Sequence, residues 1–331
     1  MNKEDPLVSV CMITYNQAPF IAQAIEGVLV QKTDFPIELV ISDDCSSDGT
    51  GKICEQYYTK FPEKINLFLQ KSNLGVINNS IKTLSACKGK YIAICEGDDY
   101  WTDTLKLQKQ VDFLENHDDY GLVHTGFNVV NEANKIIKTY TQLRPKYFHA
   151  TDVFNYILKR KYVIASLTVV FRSHFFSYFQ YELKMMNLKM TDLPLWLEIS
   201  KHSKVKYLTE ITANYRVLSK SASHFDNVVH SLEFKINTLE IFSYFARKYK
   251  IKFNEKKVLS KYYSNMMKDC YIYDEKLMAK QYYLKMIDAN KFSVLNPRPL
   301  LFLLGLKSDF FKAVIATLKK SKFDFIKKHF V

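Results

Sequence analysis

The stretch Tyr91-Ile92-Ala93-Ile94-Cys95-Glu96-Gly97-Asp98-Asp99-Tyr100 decides the fold of this chain. A short apolar run of strand character ends abruptly on three carboxylates. In an open α/β sheet, ligands bind beyond the carboxyl ends of the strands. Clustered carboxylates repel one another unless a positive charge lies between them. A hard divalent cation that also holds substrate phosphates suits such oxygen ligands. The stretch therefore predicts a site for a metal-bound nucleotide.

Two apolar runs upstream end in polar clusters in the same way. Residues 7–14 lead into Thr14-Tyr15-Asn16, and residues 37–41 lead into Ser42-Asp43-Asp44. A further apolar run covers residues 65–69, and stretches with helical spacing separate the runs, at residues 20–31, 51–61 and 78–86. Strands that alternate with helices imply right-handed βαβ units and a parallel sheet, so we expect the polar ends to share one edge.

The pattern becomes irregular after Trp101. The spacing predicts helices at residues 103–116 and 193–201, and strands at residues 121–130, 166–171, 205–208 and 212–215. From residue 226 onward the chain reads as helical, aromatic and rich in lysine. We therefore expect a mixed, mainly parallel α/β sheet flanked by helices in a domain of residues 1–225, followed by a helical basic region of residues 226–331.

Composition excludes several classes of protein. A hydrophobic content of 47% and an aromatic content of 15% exclude wholesale disorder. The net charge of +13 comes almost wholly from the last third of the chain. None of the six cysteines forms a C-x-x-C pair, which argues against zinc held by thiolates and fits a reducing compartment. The N-terminus lacks the apolar core of a signal peptide, and no apolar run reaches the roughly 18 residues of a spanning helix.

Taken in order, the motifs resemble those of the family 2 glycosyltransferases, whose catalytic domain has the Rossmann-like GT-A fold. Residues 8–16 look like the opening strand of the family, and residues 38–50 look like its nucleotide-binding segment. Asn73-Leu74-Gly75 is similar to its N-x-G turn, and Glu96-Gly97-Asp98 stands in the place of its D-x-D metal motif. The resemblance covers residues 5–130 well and residues 165–225 more loosely.

The resemblance implies a site for a nucleotide sugar in residues 1–130 and an acceptor side in residues 131–225. Either Asp43 or Asp44 would contact the base, although a capped turn explains that segment equally well at this point. Glu96 reaches one methylene further than the usual aspartate, so it is assigned to the donor side and not to the metal. The residues implied to bind the nucleotide sugar are Thr14, Asn16, Asp43, Asp44, Asn73, Glu96, Gly97, Arg216 and Lys220.

The metal and the phosphates have their own implied residues. Asp98 would ligate Mn²⁺ or Mg²⁺, and His224 would complete its coordination shell. Arg216 or Lys220 would screen the leaving diphosphate. The family often carries an arginine where this chain has Ser80, and Lys82 is the alternative cation nearby.

The segment Met190–Trp196 resembles the family's acidic segment at the start of a helix, which supplies the general base. This implies a catalytic role for Asp192, against the plainer alternative of a helix cap. Tyr100, Trp101 and Trp196 are expected beside the acceptor, although aromatic side chains at such positions also serve as packing.

These features predict an inverting, metal-dependent glycosyltransferase. It would move a sugar from a nucleotide diphospho-sugar, most simply a UDP-sugar, to a saccharide or lipid-linked acceptor in the synthesis of a surface polysaccharide such as lipopolysaccharide or capsule. A nucleotidyltransferase is the alternative enzyme, but it would require a glycine-rich basic loop where residues 16–19 read Asn-Gln-Ala-Pro. The alternative without catalysis is a membrane-bound protein that binds a nucleotide sugar.

The basic end of the chain predicts contact with a membrane. The apolar run of residues 300–306 is too short to span a bilayer. Beyond it, apolar residues at helical spacing are surrounded by lysines, as in a helix that lies on an anionic membrane surface. These are Phe311, Val314, Ile315 and Leu318, with Lys312, Lys319, Lys320 and Lys322. A helix packed on the catalytic domain is the alternative, and no motif for nucleic acid is present. We expect a cytoplasmic protein peripheral to the inner face of the cell membrane.

Overall fold

Strands and helices alternate up to residue 216, and among the described residues that follow the elements are helices. The computed structural model describes residues 5–140, 152–159, 164–218, 228–251, 255–291 and 304. These residues fall into two compact units, one within residues 1–219 and the other within residues 220–331. The predicted boundary at residue 225, and the roles predicted for each part, stay predictions.

The first unit contains nine described strands, a 3₁₀ turn at Ser166–Thr168 and seven described helices. The strands are β1 Val8–Thr14, β2 Ile37–Asp43, β3 Ile65–Leu69, β4 Tyr91–Ile94, β5 Tyr100–Trp101, β6 Tyr120–Val130, β7 Ile136–Tyr140, β8 Val170–Arg172 and β9 Lys204–Arg216. The helices are α1 Ile21–Leu29, α2 Thr50–Lys60, α3 Gly75–Ala86, α4 Lys106–Glu115, α5 Val153–Leu158, α6 His174–Met185 and α7 Asp192–His202.

The strands form one mixed sheet in the order β3-β2-β1-β4-β8-β6-β9-β5, with β7 paired to β6. The pairs among β1, β2, β3 and β4 are parallel, as is β6 with β9. The remaining pairs are antiparallel. This confirms the predicted α/β class, and the helices between the first four strands are those that the periodicity predicted. The carboxyl ends of β1, β2 and β4 lie at one edge, where the polar clusters were expected.

Burial of both sheet faces explains why the first strands are continuously apolar. In β1 the residues Val8 to Met12 are all buried, as expected for a parallel strand covered on both sides. In α1 the buried side chains Ile21, Ala24, Ile25 and Val28 recur at helical spacing and pack into the same core.

The second half of the sheet departs from the sequence prediction. The two short strands expected at 205–208 and 212–215 are one strand, β9, because its pairing with β6 continues through register shifts between His124 and Phe127. The strand expected at 166–171 is a 3₁₀ turn followed by the short strand β8. The elements β5, β7, α5 and α6 were not predicted. Strand β7 is exposed along its whole length, so it lacks the apolar alternation that marks a half-buried strand.

The second unit is helical over its described residues, in α8 Val228–Lys248, α9 Glu255–Ile272 and α10 Lys276–Ala289. Its core is aromatic and rich in methionine, with Phe242 and Tyr262 in edge-to-face contact and Met266, Met267 and Met286 buried. No helix in the described part of the chain is long and apolar enough to cross a membrane. The amphipathic helix predicted near the C-terminus lies outside the described residues.

A network of polar contacts fixes the sheet at the amino ends of its strands. The Ser9 hydroxyl donates to Glu38 and accepts the backbone N–H groups of Lys88 (3.0 Å) and Gly89 (2.7 Å). A Cβ atom on Gly89 would lie 2.6 Å from the backbone nitrogen of Ser9 and 2.8 Å from the carbonyl oxygen of Tyr91. Both neighbours are backbone atoms in paired strands, so neither can move aside cheaply.

We therefore expect Gly89→Ala to lower the free energy of unfolding by about 2–3 kcal/mol, the cost of overpacking a closed site. Gly49 is the matched control: its φ of 99° strains any other residue, but nothing lies within 4 Å of an added Cβ. Gly49→Ala should cost about 1 kcal/mol, because only backbone strain is added. Urea unfolding of the two variants measures both values, and equal losses would contradict the close approach at Gly89.

Candidate active site

The loops after β1 and β2 are joined by hydrogen bonds at the carboxyl edge of the sheet. Asn16, which has a positive φ of 51°, donates its backbone N–H to the Ser46 hydroxyl at 2.8 Å. Its side-chain oxygen accepts the Ser47 N–H at 2.9 Å. The N–H of Asp44 donates to the Thr14 carbonyl at 2.9 Å. The sequence placed Thr14, Asn16 and Asp44 at one edge, and the structure brings them together.

The adjacent carboxylates Asp43 and Asp44 have different partners, although both are buried. Asp44 accepts the N–H groups of Leu74 (2.7 Å) and Gly75 (3.0 Å), so both of its oxygens hold the start of α3. Asp43 accepts the N–H and hydroxyl of Ser46 within its own loop. Asp44 therefore fixes the start of α3, whereas Asp43 keeps its contacts within the loop at the edge of the sheet.

The Asn73-Leu74-Gly75 turn has a local structural explanation. Gly75 has a φ of 79°, a left-handed conformation that favours glycine. The Asn73 side-chain oxygen accepts the Gly75 N–H at 3.0 Å, which closes the turn. Asn73 itself is exposed, so its amide is accessible to solvent.

Residues Glu96 to Asp99 form an acidic turn that continues the pairing of β1 and β4. The N–H of Cys95 donates to the Cys11 carbonyl at 3.1 Å, and the N–H of Gly97 donates to the Ile13 carbonyl at 3.0 Å. A Cβ atom on Gly97 would lie 2.7 Å from the Thr14 hydroxyl oxygen. Only glycine therefore fits between the two carboxylates at this distance from β1.

The acidic turn concentrates negative charge in a confined space. Burial, and next the charge of Asp98, raise the pKa of Glu96 to about 8. The Oε2 atom of Glu96 is buried, and among the described residues it has no hydrogen-bond partner. Burial also raises the pKa of Asp98, although the charge of Arg216 and a hydrogen bond from Gln17 oppose this. Two of the three carboxylates thus share a site that disfavours their ionised forms.

The third carboxylate of the turn, Asp99, is bound by the end of β9. It is buried and accepts the backbone N–H of Arg216 at 2.7 Å. Its pKa is raised well above the ordinary value by burial, and further by the charges of Asp98 and Glu96. Asp99 therefore joins the acidic turn to the end of β9.

Asp192 approaches the acidic turn from the first turn of α7. Its Oδ1 atom accepts the Leu193 N–H at 2.7 Å, and its Oδ2 atom accepts the Ser166 hydroxyl at 3.4 Å. Burial raises the pKa of Asp192, and the charge of Asp192 in turn raises the pKa of Glu96. The fold thus brings Asp192 close to a carboxylate that lies far from it in the sequence. Ser166 was not singled out from the sequence, because a lone serine before a short strand carries no motif.

Arg216 binds protein groups at every guanidinium nitrogen. Its Nε atom donates to the Asp98 carbonyl at 2.8 Å, its Nη1 atom donates to Asn134 at 2.7 Å, and its Nη2 atom donates to Gln23 at 2.7 Å. The guanidinium also lies 5.1 Å from the centre of the Tyr100 ring. Arg216 is 2% exposed and lies behind the acidic turn, and its predicted role toward the diphosphate stays a prediction.

The three aromatic residues predicted at the acceptor are buried. The Tyr100 hydroxyl accepts a hydrogen bond from Asn214 at 2.7 Å, and the Trp101 indole donates to the Leu167 carbonyl at 2.8 Å. Trp196 packs edge to face on Phe171 at a ring-centre distance of 5.7 Å. Trp101 and Trp196 thus pack within the fold, the alternative that the sequence had left open.

Four residues that the sequence considered near the metal or the phosphates remain, and the structure describes two of them. Ser80 is buried, and its hydroxyl donates to the Val76 carbonyl at 2.6 Å, while the exposed Lys82 donates to the Gln70 side chain at 2.7 Å. Lys220 and His224 lie outside the described residues. Within the described ranges, no group of three or more His, Cys, Asp and Glu side chains is arranged to hold a metal ion.

Sequence comparison gives a family match and close relatives. The model of glycosyl transferase family 2 matches residues 9–179. Over 110 residues the chain is 46% identical to an uncharacterized protein of Mycobacterium tuberculosis, an alignment that covers 33% of this chain and 32% of that protein. It is 30% identical over 227 residues to a Bacillus subtilis protein provisionally named as the teichuronic acid biosynthesis glycosyltransferase TuaG. That alignment covers 67% of this chain and 84% of TuaG.

Solved structures share the fold at low sequence identity. S. aureus TarS in complex with UDP-GlcNAc superposes with a TM-score of 0.54 at 16% identity, over 91% of each chain. The mannosyltransferase PcManGT from Pyrobaculum calidifontis, in complex with GDP-Man and Mn²⁺, superposes with a TM-score of 0.51 at 13% identity, over 91% of this chain and 86% of PcManGT. These likenesses concern the arrangement of the helices and strands, and they confirm the GT-A fold that the motifs predicted.

The extent of these matches identifies the family of the chain. Because the family model matches more than half of the chain, and TuaG aligns with two thirds of it, the protein belongs to glycosyl transferase family 2.

Proposed function

We propose that the protein transfers a sugar, with inversion at the anomeric carbon, from a nucleoside diphosphate sugar to a saccharide or lipid-linked acceptor. The observation that carries the proposal is the meeting of Glu96 and Asp98, which follow β4, with Asp192, which begins α7. Asp98 suits a cation that holds a diphosphate, Glu96 suits the donor beside it, and Asp192, held by a helix N-terminus, suits a general base.

The donor nucleotide would bind at the carboxyl ends of β1 and β2. Thr14, Asn16 and Asp43 lie there, and the loops that carry them are fixed to each other. A carboxylate in this position can accept hydrogen bonds from the N–H groups of a base or the hydroxyls of a ribose. TarS holds UDP-GlcNAc and PcManGT holds GDP-Man on the same fold. We favour UDP, and the donor panel described below tests the choice.

The acidic turn fits a divalent cation by the chemistry of its donor set. Glu96 and Asp98 offer only oxygen atoms, and one buried oxygen of Glu96 has no partner among the described residues. Mg²⁺ and Mn²⁺ sites of this kind use one or two carboxylates and complete their shell with phosphates and water, so a cluster of three protein ligands is not required. Asp98 would be the ligand, with Glu96 beside the donor. When bound, the cation neutralises charge on the diphosphate as it leaves.

Asp192 is suited to remove a proton from the acceptor. Its carboxylate is oriented by Leu193 and Ser166, and burial raises its pKa toward the range in which a base works efficiently. Asp192 would take the hydroxyl proton while the acceptor oxygen bonds to the anomeric carbon. The bond from that carbon to the diphosphate oxygen breaks, and the nucleoside diphosphate departs with the electron pair. One displacement inverts the configuration.

The acceptor class is proposed from a relative of the chain. TuaG is named for the synthesis of teichuronic acid, a polymer of the cell surface, and it aligns with two thirds of this chain. A surface polysaccharide is therefore the product class that we propose, with a saccharide or lipid-linked acceptor. Attachment to an anionic membrane through the basic C-terminal residues remains a prediction, since those residues lie outside the described ranges.

The decisive experiment is a panel of UDP-, GDP- and dTDP-sugars tested with and without Mn²⁺. We expect one donor to raise the melting temperature and to be hydrolysed slowly, and we expect EDTA to abolish both effects. Asp98→Asn should lose the manganese-dependent part of both effects, the rise in melting temperature and the hydrolysis, because it removes a charged ligand. Asp118→Asn is the matched control, since its carboxylate is 97% exposed and lies in the turn before β6. A panel without any response would refute the proposed function.

Asp192→Asn should lower the transfer rate by about 10²–10⁴-fold, the usual contribution of a general base. Donor affinity should stay within about twofold, because Asp192 acts on the acceptor and the asparagine keeps the shape of the side chain. Initial rates of transfer and calorimetric titration of the donor measure the two quantities. Asp119→Asn, an exposed partner of Lys204, serves as the control. Full transfer by Asp192→Asn would remove Asp192 from the mechanism.

The position of Arg216 behind the acidic turn suggests that it shapes the donor site. Arg216→Lys keeps one charge but loses the three-way contact of the guanidinium with Asp98, Asn134 and Gln23. We expect donor affinity to fall by about tenfold or more, in line with the loss of a charged hydrogen bond. Titration of the variant with the donor identified by the panel measures this change.

Arg172 provides a matched control for this variant. Its guanidinium also binds backbone carbonyls, those of Tyr120 (2.9 Å) and Leu114 (2.7 Å), but it pairs with Tyr91 at the opposite end of β4. Arg172→Lys should lower thermal stability and leave donor affinity unchanged. If both variants weakened donor binding equally, the effect would be general loss of stability and not a change in the acidic turn.

A further inference from the structure

The 3₁₀ turn Ser166–Thr168 lies beside the acidic turn because of the pairing of β8 with β4. The two strands are antiparallel, with Ile92 opposite Phe171 and Ala93 opposite Val170. Continued beyond the last pair, this register leads toward Glu96 on one strand and Leu167 on the other. The turn therefore carries Ser166 to the end of β4, where the carboxylates gather.

Hydrogen bonds from two buried side chains hold this turn in place. The Trp101 indole donates to the Leu167 carbonyl at 2.8 Å, and the Gln110 amide donates to the Thr168 carbonyl at 2.9 Å. Leu167 and Thr168 are themselves buried. The turn thus has little freedom to move, and the position of the Ser166 hydroxyl is defined by the core of the protein.

The Ser166 hydroxyl stands between two carboxylates that come from separate parts of the chain. It donates to Oδ2 of Asp192 at 3.4 Å, and its presence near Glu96 lowers the pKa of the Glu96 carboxyl. A serine hydroxyl has one hydrogen, so it can donate to only one carboxylate at a time. It is an uncharged donor placed where Glu96 and Asp192 would otherwise face each other as like charges.

We propose that Ser166 is a positioning residue for the transfer reaction: its hydroxyl sets the orientation of the Asp192 carboxylate. The inference rests on the proposed function and adds to it a residue with no charge and no motif. Asp192 then has two fixed contacts, the Leu193 N–H on Oδ1 and the Ser166 hydroxyl on Oδ2. With both oxygens held, the carboxylate has one orientation toward an incoming acceptor hydroxyl.

A positioning role predicts a loss of rate without a loss of donor binding. Ser166→Ala should lower kcat for transfer by about 10–100-fold, the effect of a misplaced reacting group. The KM for the donor should change by less than about threefold, since Ser166 is not among the proposed donor contacts. Ser166→Thr keeps the hydroxyl and should recover most of the rate. Ser200→Ala is the matched control, because the Ser200 hydroxyl donates to a backbone carbonyl within α7, that of Leu197 at 3.2 Å.

The double variant Ser166→Ala with Asp192→Asn tests whether Ser166 acts through Asp192. In that case Ser166→Ala has no further effect on kcat once Asp192 is replaced, and the double variant has the kcat of Asp192→Asn alone, because residues that act as a unit are not additive. Losses that add, or a Ser166→Ala variant with the wild-type rate, would overturn the inference and leave the proposed function intact. Absence of transfer by the wild-type protein with every donor would instead overturn the proposed function.

Discussion

Repulsion between carboxylates is the constraint on which the site depends. Glu96, Asp98 and Asp99 follow one another at the end of β4, and Asp192 adds a fourth negative group. Hydrogen bonds and a nearby positive charge stabilise some of these carboxylates but not all of them. Asp99 is bound by the backbone of Arg216, and Asp98 is stabilised by Arg216 and Gln17. Glu96 keeps a buried oxygen with no partner in the described part of the chain. The uncompensated charge is therefore concentrated at the acidic turn, where we propose that a cation and a diphosphate bind.

Adjacent aspartates in this protein point their carboxylates toward different partners. In each of two pairs, one member turns toward the scaffold and the other stays at the edge of the sheet. Asp44 holds the start of α3 with both oxygens, while Asp43 stays in its own loop. Asp99 holds the end of β9, while Asp98 stays in the acidic turn. A strand end needs such an arrangement, because ligand groups can be aimed only if the backbone that carries them is itself fixed.

The sequence was sufficient for the first half of the fold, and it singled out acidic residues that the fold brings together. Apolar runs that end in polar clusters located β1, β2 and β4, because parallel strands covered on both faces leave a strong periodic signal. Ser166, Gln17 and Gln23 could not be found in this way. Their roles depend on contacts between segments far apart in the chain, and neutral side chains carry no local signature. The burial of Arg216 was missed for the same reason, since a charged residue near a strand end reads equally well as a ligand contact.

The polar core near the acidic turn contains a buried lysine, which costs free energy of desolvation but helps to hold the site. Lys106 is fully buried, and burial lowers its pKa to about 7, so a charge there is poorly solvated. Its ammonium group donates to the Gln110 oxygen at 2.7 Å and lies 4.2 Å from the centre of the Trp101 ring. With that oxygen occupied, the Gln110 amide is oriented to donate to the Thr168 carbonyl. An apolar residue in place of Lys106 would remove an expensive buried amine. It would also release the amide that fixes the 3₁₀ turn, which explains why a buried lysine is useful at this point of the fold.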